Sequence, residues 1–162
     1  MKRLQDFEIA FQGDIWMMKL PDNYVQSNEM EHEIGLINGK LILQEGEMTG
    51  HHHHIDVMER PATKSFNESW WEEFDDPTLR DIFGQERPAF SAKLFAASKV
   101  ANKLVSDQKL MRPDLTTGLL IIENGPAKVQ HQEHDFIGLM PGKYVVGRQL
   151  ESVAGEERRV AD

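Results

Sequence analysis

The stretch FEIAFQGDIWMMKL, residues 7–20, alternates or runs apolar in two short pieces on either side of a Gly-Asp pair. Short apolar runs that meet at a glycine-containing dipeptide read as two strands joined by a tight turn. Working outward, the same grammar recurs. IGLINGKLILQEGE (34–47) carries Asn38-Gly39 between two apolar runs, and Asn-Gly supplies the positive φ values of a type I′ hairpin turn. HHHHIDVME (51–59) reads as a strand with His51, His53, Ile55 and Val57 on one face and His52, His54 and Asp56 on the other. Between these runs, PDNYVQSNEMEHE (21–33) is polar and turn-rich, a loop.

The C-terminal part is again β in character. TGLLIIENGPAKVQ (117–130) holds a second Asn-Gly at 124 and 125, and the following Pro126 predicts a hairpin with a longer turn. DFIGLMPGKYVVGRQLES (135–152) gives a short strand, a Pro-Gly turn and a strand on which Tyr144 and Val146 share a face. The last eight residues, GEERRVAD, lack apolar mass and are expected to fray.

The middle of the chain has a different period. Ser69-Trp70-Trp71-Glu72 has the form of a capping box. Asp76-Pro77 offers a second helix start, with Gly84 as its stop. Pro88 opens the longest predicted helix, PAFSAKLFAASKVANKLVSDQKL (88–110), with Phe90, Leu94, Ala97, Ala101, Leu104 and Val105 as its stripe, and Pro113 ends it. The expectation is a helical insertion over 67–112 that covers one end of a barrel or reaches out to a partner.

Bulk properties narrow the function classes. The 162 residues make one domain by length. With 27 acidic against 18 basic residues the net charge is −9, which repels nucleic-acid backbones and makes nucleic acid a disfavoured partner. Zero cysteines exclude disulfides, thiolate zinc sites and cysteine nucleophiles. No apolar run reaches about 18 residues and the start lacks an apolar signal core, so neither a membrane span nor a secretory signal is expected. Those properties fit a cytoplasmic protein, including one in a phage-infected host, or a virion component.

Six of the seven histidines fall in two clusters, His51 to His54 and His131 with His134. On a strand, residues i and i+2 lie about 6–7 Å apart on one face, so both imidazoles of an HxH pair can reach one ion. Imidazoles with a carboxylate suit zinc, iron or manganese. HQEHD (131–135) offers His131, Glu133, His134 and Asp135 as the second set. The candidate metal ligands are therefore His51, His53, His131 and His134, and the same residues with Glu133 are the candidate acid–base groups. The competing reading is that these are hydrogen-bonded structural or surface histidines. No G-x-S-x-G elbow, Walker loop or dinucleotide glycine pattern occurs.

GEMTGHHHHIDVME (46–59) is similar to the first motif of the cupin family, with Gly46, His52, His54 and Glu59 at the motif's spacing. Phe66 stands where that motif closes on glycine, and MPGKY has its glycine too early for the second cupin motif. More widely, FQGD, GEMTGHHHH and HQEHDFIGLMPGKYVVGRQLES together resemble a set of short bacterial and phage proteins. Those carry QGD near the start, GE-x-TGHxH in the middle, and H-x-EH before a PGxYxVxxQxE strand. The resemblance spans the β parts, leaves out the helical segment, and picks out Gly50, His51, His53, His131, Glu133, His134 and Gln149.

The expected architecture is therefore mainly β. It comprises a small cupin-like, jelly-roll or β-barrel core over 1–154, the helical insertion at 67–112, and a frayed tail at 155–162. Two functions compete. One is a histidine-rich, metal-dependent site taking a divalent zinc, iron or manganese ion. The other is a virion or assembly protein that self-associates or holds a protein partner through Trp70, Trp71 and Phe74.

Overall fold

The computed structural model describes residues 1–45, 50–57, 73–84, 90–153 and 156–159. Its centre is the predicted hairpin. Strand β1 (Ile9–Gln12) turns back through Gly13-Asp14 into β2 (Ile15–Leu20), with Gln12 opposite Ile15. Gly13 has φ +54° and Asp14 is not among the positive-φ residues. A single positive φ at the first turn position is the mark of a type II′ turn, the conformation that glycine adopts without strain.

Around this hairpin grows a six-stranded antiparallel sheet in the order β1-β2-β10-β7-β6-β3. Here β3 is Glu33–Ile34, β6 is Ser91–Phe95, β7 is Thr116–Glu123 and β10 is Gly142–Arg148. Three further hairpins complete the strands: β4 (Lys40–Glu45) with β5 (His52–Asp56), β8 (Ala127–Val129) with β9 (Ile137–Leu139), and β11 (Leu150–Val153) with β12 (Glu156–Arg159).

The sheet is covered on both faces, which explains why its central strands are apolar on both sides. Ile15 and Met17 of β2, Leu120 and Ile122 of β7, and Tyr144 and Val146 of β10 face one core. That core is closed by Leu41, Leu43 and Ile55 from β4–β5 and by Ala127, Val129 and Leu139 from β8–β9. The alternate residues Trp16, Met18, Leu119, Ile121 and Val145 face the other way, against Val100 and Leu104 of α2 (Ser98–Ser106). The described residues thus stack a layer of small hairpins, the six-stranded sheet and helix α2. The Tyr144/Val146 face is as read from the sequence.

Mainly β is therefore right, but among the described residues the sheets do not close into a barrel, and β1 and β3 are open edges of the large one. The 67–112 insertion is not helical throughout. Ser91–Phe95, expected to open the long helix, is an interior strand with Leu94 opposite Leu120. Its residues satisfy both periods. Phe90, Leu94 and Ala97 keep helical spacing, while Ala92 and Leu94 alternate with Ser91, Lys93 and Phe95, and pairing with β7 and β3 decides between them. The helix that does form is capped from afar. The Glu31 carboxylate accepts from the Lys99 N–H at 3.2 Å and from the Ser98 hydroxyl. Val105, placed in the buried stripe, is 39% exposed.

The shorter α1 (Leu79–Phe83) ends at Gly84 as expected, φ +93°. Its start lies past Asp76, whose Oδ1 accepts from the Thr78 N–H at 3.1 Å. Asn38 and Gly39 have φ +51° and +75°, the expected type I′ turn. The hairpin that it was to close shrinks to an isolated bridge between Ile37 and Lys40, because β4 pairs with β5 instead. The second Asn-Gly is not a hairpin turn either: β7 pairs with β6 and β10, while β8 pairs with β9. Asn124, φ +69°, lies where the chain leaves the sheet for the covering layer. The tail expected to fray contains β12, hydrogen-bonded to β11. The Ser69–Glu72 capping box, Trp70, Trp71 and Pro88 lie outside the described residues. No helix among the described residues is long and apolar enough to cross a membrane.

Trp16 lies directly across from Gly147, and a Cβ at Gly147 would overlap its indole. Gly147→Ala is therefore expected to lower the free energy of unfolding by roughly 1–3 kcal/mol through overpacking. Gly35→Ala, where nothing lies within 4 Å of the added carbon, should stay within about 0.5 kcal/mol. Urea unfolding of both variants checks the contrast.

Candidate functional site

The site grows from the end of β1. Gln12 points into the hairpin layer and is 4% exposed. Its Nε2 donates to the Val129 carbonyl at 3.0 Å and to the Asp135 carbonyl at 2.8 Å. With both amide hydrogens so used, Oε1 is left as the acceptor, which fixes the neighbouring bond: His53 Nδ1, 2.8 Å away, is the donor. The other ring nitrogen of His53, Nε2, lies 2.6 Å from Asp14 Oδ1. Histidine and aspartate are both fully buried, at 0% exposure. Whichever of the two formally carries the shared proton, that hydrogen bond satisfies both, as burial requires.

Asp14 is itself the second residue of the β1–β2 turn, and Gln149 grips that turn. The Gln149 N–H donates to the Asp14 carbonyl at 2.8 Å, and its Nε2 donates to the Gly13 carbonyl at 2.6 Å. One dipeptide turn thus positions the carboxylate, the preceding residue positions the imidazole, and the residue after β10 holds the turn in place.

The second histidine segment arrives by backbone pairing. His54 and Gln130 form an isolated antiparallel bridge, N–H to carbonyl in both directions at 3.0 and 2.8 Å. The His52 N–H also donates to Gln132 Oε1 at 2.9 Å. This stitching, across nearly eighty positions of sequence, sets His131 against the His51/His53 face. The ring centroids of His131 lie 4.5 Å from His53, 5.7 Å from His51 and 4.7 Å from His134. Glu133 Oε1 lies 3.8 Å from His51 Nδ1. All five candidate residues, His51, His53, His131, Glu133 and His134, therefore stand in one cluster.

The cluster is graded from inside to outside. His53 is sealed, His131 is 8% exposed, His51 is intermediate, and Glu133 and His134 are exposed. Each of the inner two engages protein groups through at least one ring nitrogen. Both His53 nitrogens face protein groups, and His131 Nδ1 accepts from the Glu133 N–H at 3.0 Å. His51 Nδ1, at the outer side, is buried with no hydrogen-bond partner among the described residues, and the same holds for the Nε2 atom of His131, which engages its neighbours through Nδ1 and its ring. No group of three or more His, Asp or Glu side chains among the described residues is arranged to hold a metal ion.

His52 and His54, the pair at cupin spacing, lie on the other side of β5 with rings 4.6 Å apart. Gly46 and Glu59 of that motif, and Phe66, lie outside the described residues. Burial holds the His54 imidazole below its ordinary range, with the Asp56 carboxylate 3.7 Å away working in the opposite direction. Phe74, expected on a partner surface, is 2% exposed and packs edge-on against Phe136 at 5.6 Å, so it belongs to a core. Sequence reasoning missed Gln12 and Asp14 as site residues. The signal was there in the QGD tripeptide, where a buried-facing glutamine and a turn aspartate stand beside the glycine that the turn needs.

Two outcomes follow. Asp14→Ala removes the buried hydrogen bond at His53 Nε2 and should cost roughly 1–3 kcal/mol of stability. In the Asp14→Ala/His53→Ala double variant the losses should be clearly less than additive in denaturant titrations. For His54, the folded-state value lies below the unfolded one, so its contribution is complete above about pH 6.5 and is lost as the pH falls through that value. Thermal midpoints should drop as the pH falls below about 6.5, and His54→Gln should flatten that slope.

No protein-family model matches the chain, and neither a curated protein nor a solved structure matches it.

Proposed function

We propose that the protein binds a divalent cation at the outer side of the histidine cluster, where His51, Glu133 and His134 are the ligands and His53 and His131 hold the segments that present them. The observation that carries this reading is the gap between His51 Nδ1 and Glu133 Oε1. At 3.8 Å it is too long for a hydrogen bond, and the nitrogen is buried without another partner among the described residues. Ligand bonds of about 2.0–2.2 Å from each atom to one ion would span a gap of that length at an open angle. His134, exposed and in ring contact with His131, is the third ligand and reaches the ion by turning its side chain.

Imidazole and carboxylate ligands of this kind suit zinc, iron(II) or manganese. Three protein ligands leave positions for water or substrate, and the ion there supplies Lewis acidity to a hydrolytic or oxygen-handling reaction. The inner residues act through support: Gln12 and Asp14 fix the His53 ring, His53 packs against His131, and His131 receives the Glu133 N–H.

Calorimetric titration of tag-free protein with zinc and manganese salts tests this. One ion should bind per chain. His51→Ala and Glu133→Ala should each weaken binding at least about tenfold, His134→Ala somewhat less. Absence of binding, or binding indifferent to both His51→Ala and Glu133→Ala, would overturn the assignment.

A further inference from the structure

The open edge of β1 carries information of its own. In the β1–β2 ladder, Gln12 and Ala10 are the residues whose backbone groups face β2, because the two-residue turn closes on the Gln12–Ile15 pair. The N–H and C=O groups of Ile9 and Phe11 therefore face outward, and no further strand lies beyond β1 among the described residues. The Ile9 and Phe11 side chains are exposed as well, at 37% and 60%. Together with Met111, 93% exposed, they line an apolar groove of about 240 Å³. An edge strand that is unpaired in its backbone and apolar in its side chains is a template for pairing.

We infer that β1 pairs antiparallel with β1 of a second copy of this chain, about a two-fold axis at Ala10, making one continuous sheet across two molecules. The register follows from the edge itself. Centring the axis on Ala10 makes Ile9 face Phe11 of the second copy and Phe11 face its Ile9, so every outward N–H and C=O of the strand is used. Centring it on Ile9 would oppose Phe11 to Phe7, whose φ of +65° is not extended and whose N–H already donates to the Lys19 carbonyl. Centring it on Phe11 would oppose Ile9 to Gly13, which lies in the turn. Only the Ala10 register keeps every hydrogen-bonded pair within β1.

The side chains agree with that register. It sets two Ile9–Phe11 cross-strand pairs side by side, covering the two residues that the isolated chain leaves open, with Met111 at their flank. An apolar aromatic–aliphatic pair of this kind is favourable on a sheet face. Glu8, paired with Lys2 at 2.9 Å, meets Gln12 of the second copy. No like charges oppose one another along the strand, despite a net charge of −9 per chain. The surface is self-complementary, as a two-fold interface must be.

The chain has no cysteine, so Ala10→Cys introduces a single thiol. In the proposed register the two Ala10 positions form a non-hydrogen-bonded pair, whose Cα separation of about 4.5 Å allows a disulfide. Sedimentation of the unmodified chain at tens of micromolar should give twice the monomer mass, and Phe11→Lys should weaken the association at least tenfold while keeping the circular dichroism of the fold. Mild oxidation should cross-link Ala10→Cys quantitatively and leave Glu123→Cys, on an exposed strand end, without a covalent cross-link. A chain that stays monomeric at several hundred micromolar would overturn the inference. So would a dimer that survives Phe11→Lys, or one that fails to cross-link through Ala10→Cys. If Phe11→Lys does not fold, the cross-linking pair decides alone.

Discussion

The site depends on a carboxamide that has no freedom left. Gln12 gives its two amide hydrogens to carbonyls on either side of the second histidine segment, at Val129 and Asp135. Its oxygen must then accept from His53, and the His53 ring is thereby aimed at Asp14. Three stretches of chain far apart in sequence meet in that arrangement, at β1, at β5 and at the 129–135 run. In a fully buried setting each of these bonds is obligatory, because a polar group left without a partner there costs roughly 1–3 kcal/mol.

The layers around it supply the rigidity. The β1–β2 hairpin is fixed by a glycine-dependent turn and by Gln149, and the hairpin packs on both faces into separate cores. The β4–β5 hairpin is locked to the same core through Leu41, Leu43 and Ile55. A histidine cluster graded from sealed to exposed results, with its inner members held by hydrogen bonds and its outer edge bearing an unpaired ring nitrogen beside a carboxylate. That gradient is why we propose His51, Glu133 and His134 as ligands and His53 and His131 as their support. The exposed edge is the outer side of β1 itself, where the outward backbone groups belong to Ile9 and Phe11, so association there would leave the interior side-chain bonds of Gln12 untouched.

Local chemistry was legible in the sequence, while long-range pairing was much less so. The two turns with positive φ at Gly13 and at Asn38-Gly39 follow from residue type, and the shared face of His53 and Ile55 follows from strand alternation. Three features were hidden because their causes lie elsewhere in the chain. Ser91–Phe95 is compatible with either period until β7 and β3 pair with it. The α2 N-terminus is capped by Glu31 rather than by a neighbour. Asn124-Gly125 has the composition of a hairpin turn but serves as a corner, since the strand before it is already paired on both sides. The cluster itself was half visible. The spacing of the histidines marked them, but the bridge from His54 to Gln130 and the role of Gln12 and Asp14 follow only from tertiary contacts.

Imidazole-resolved nuclear magnetic resonance tests the assembly most directly. On this account the His53 and His131 rings show a mutual Overhauser contact, His131 shows another to His134, and the His53 Nδ1 proton is observable and protected from solvent exchange. A His53 ring whose protons exchange freely and which has no contact with His131 would contradict the account, because the two histidine segments would then not share a site.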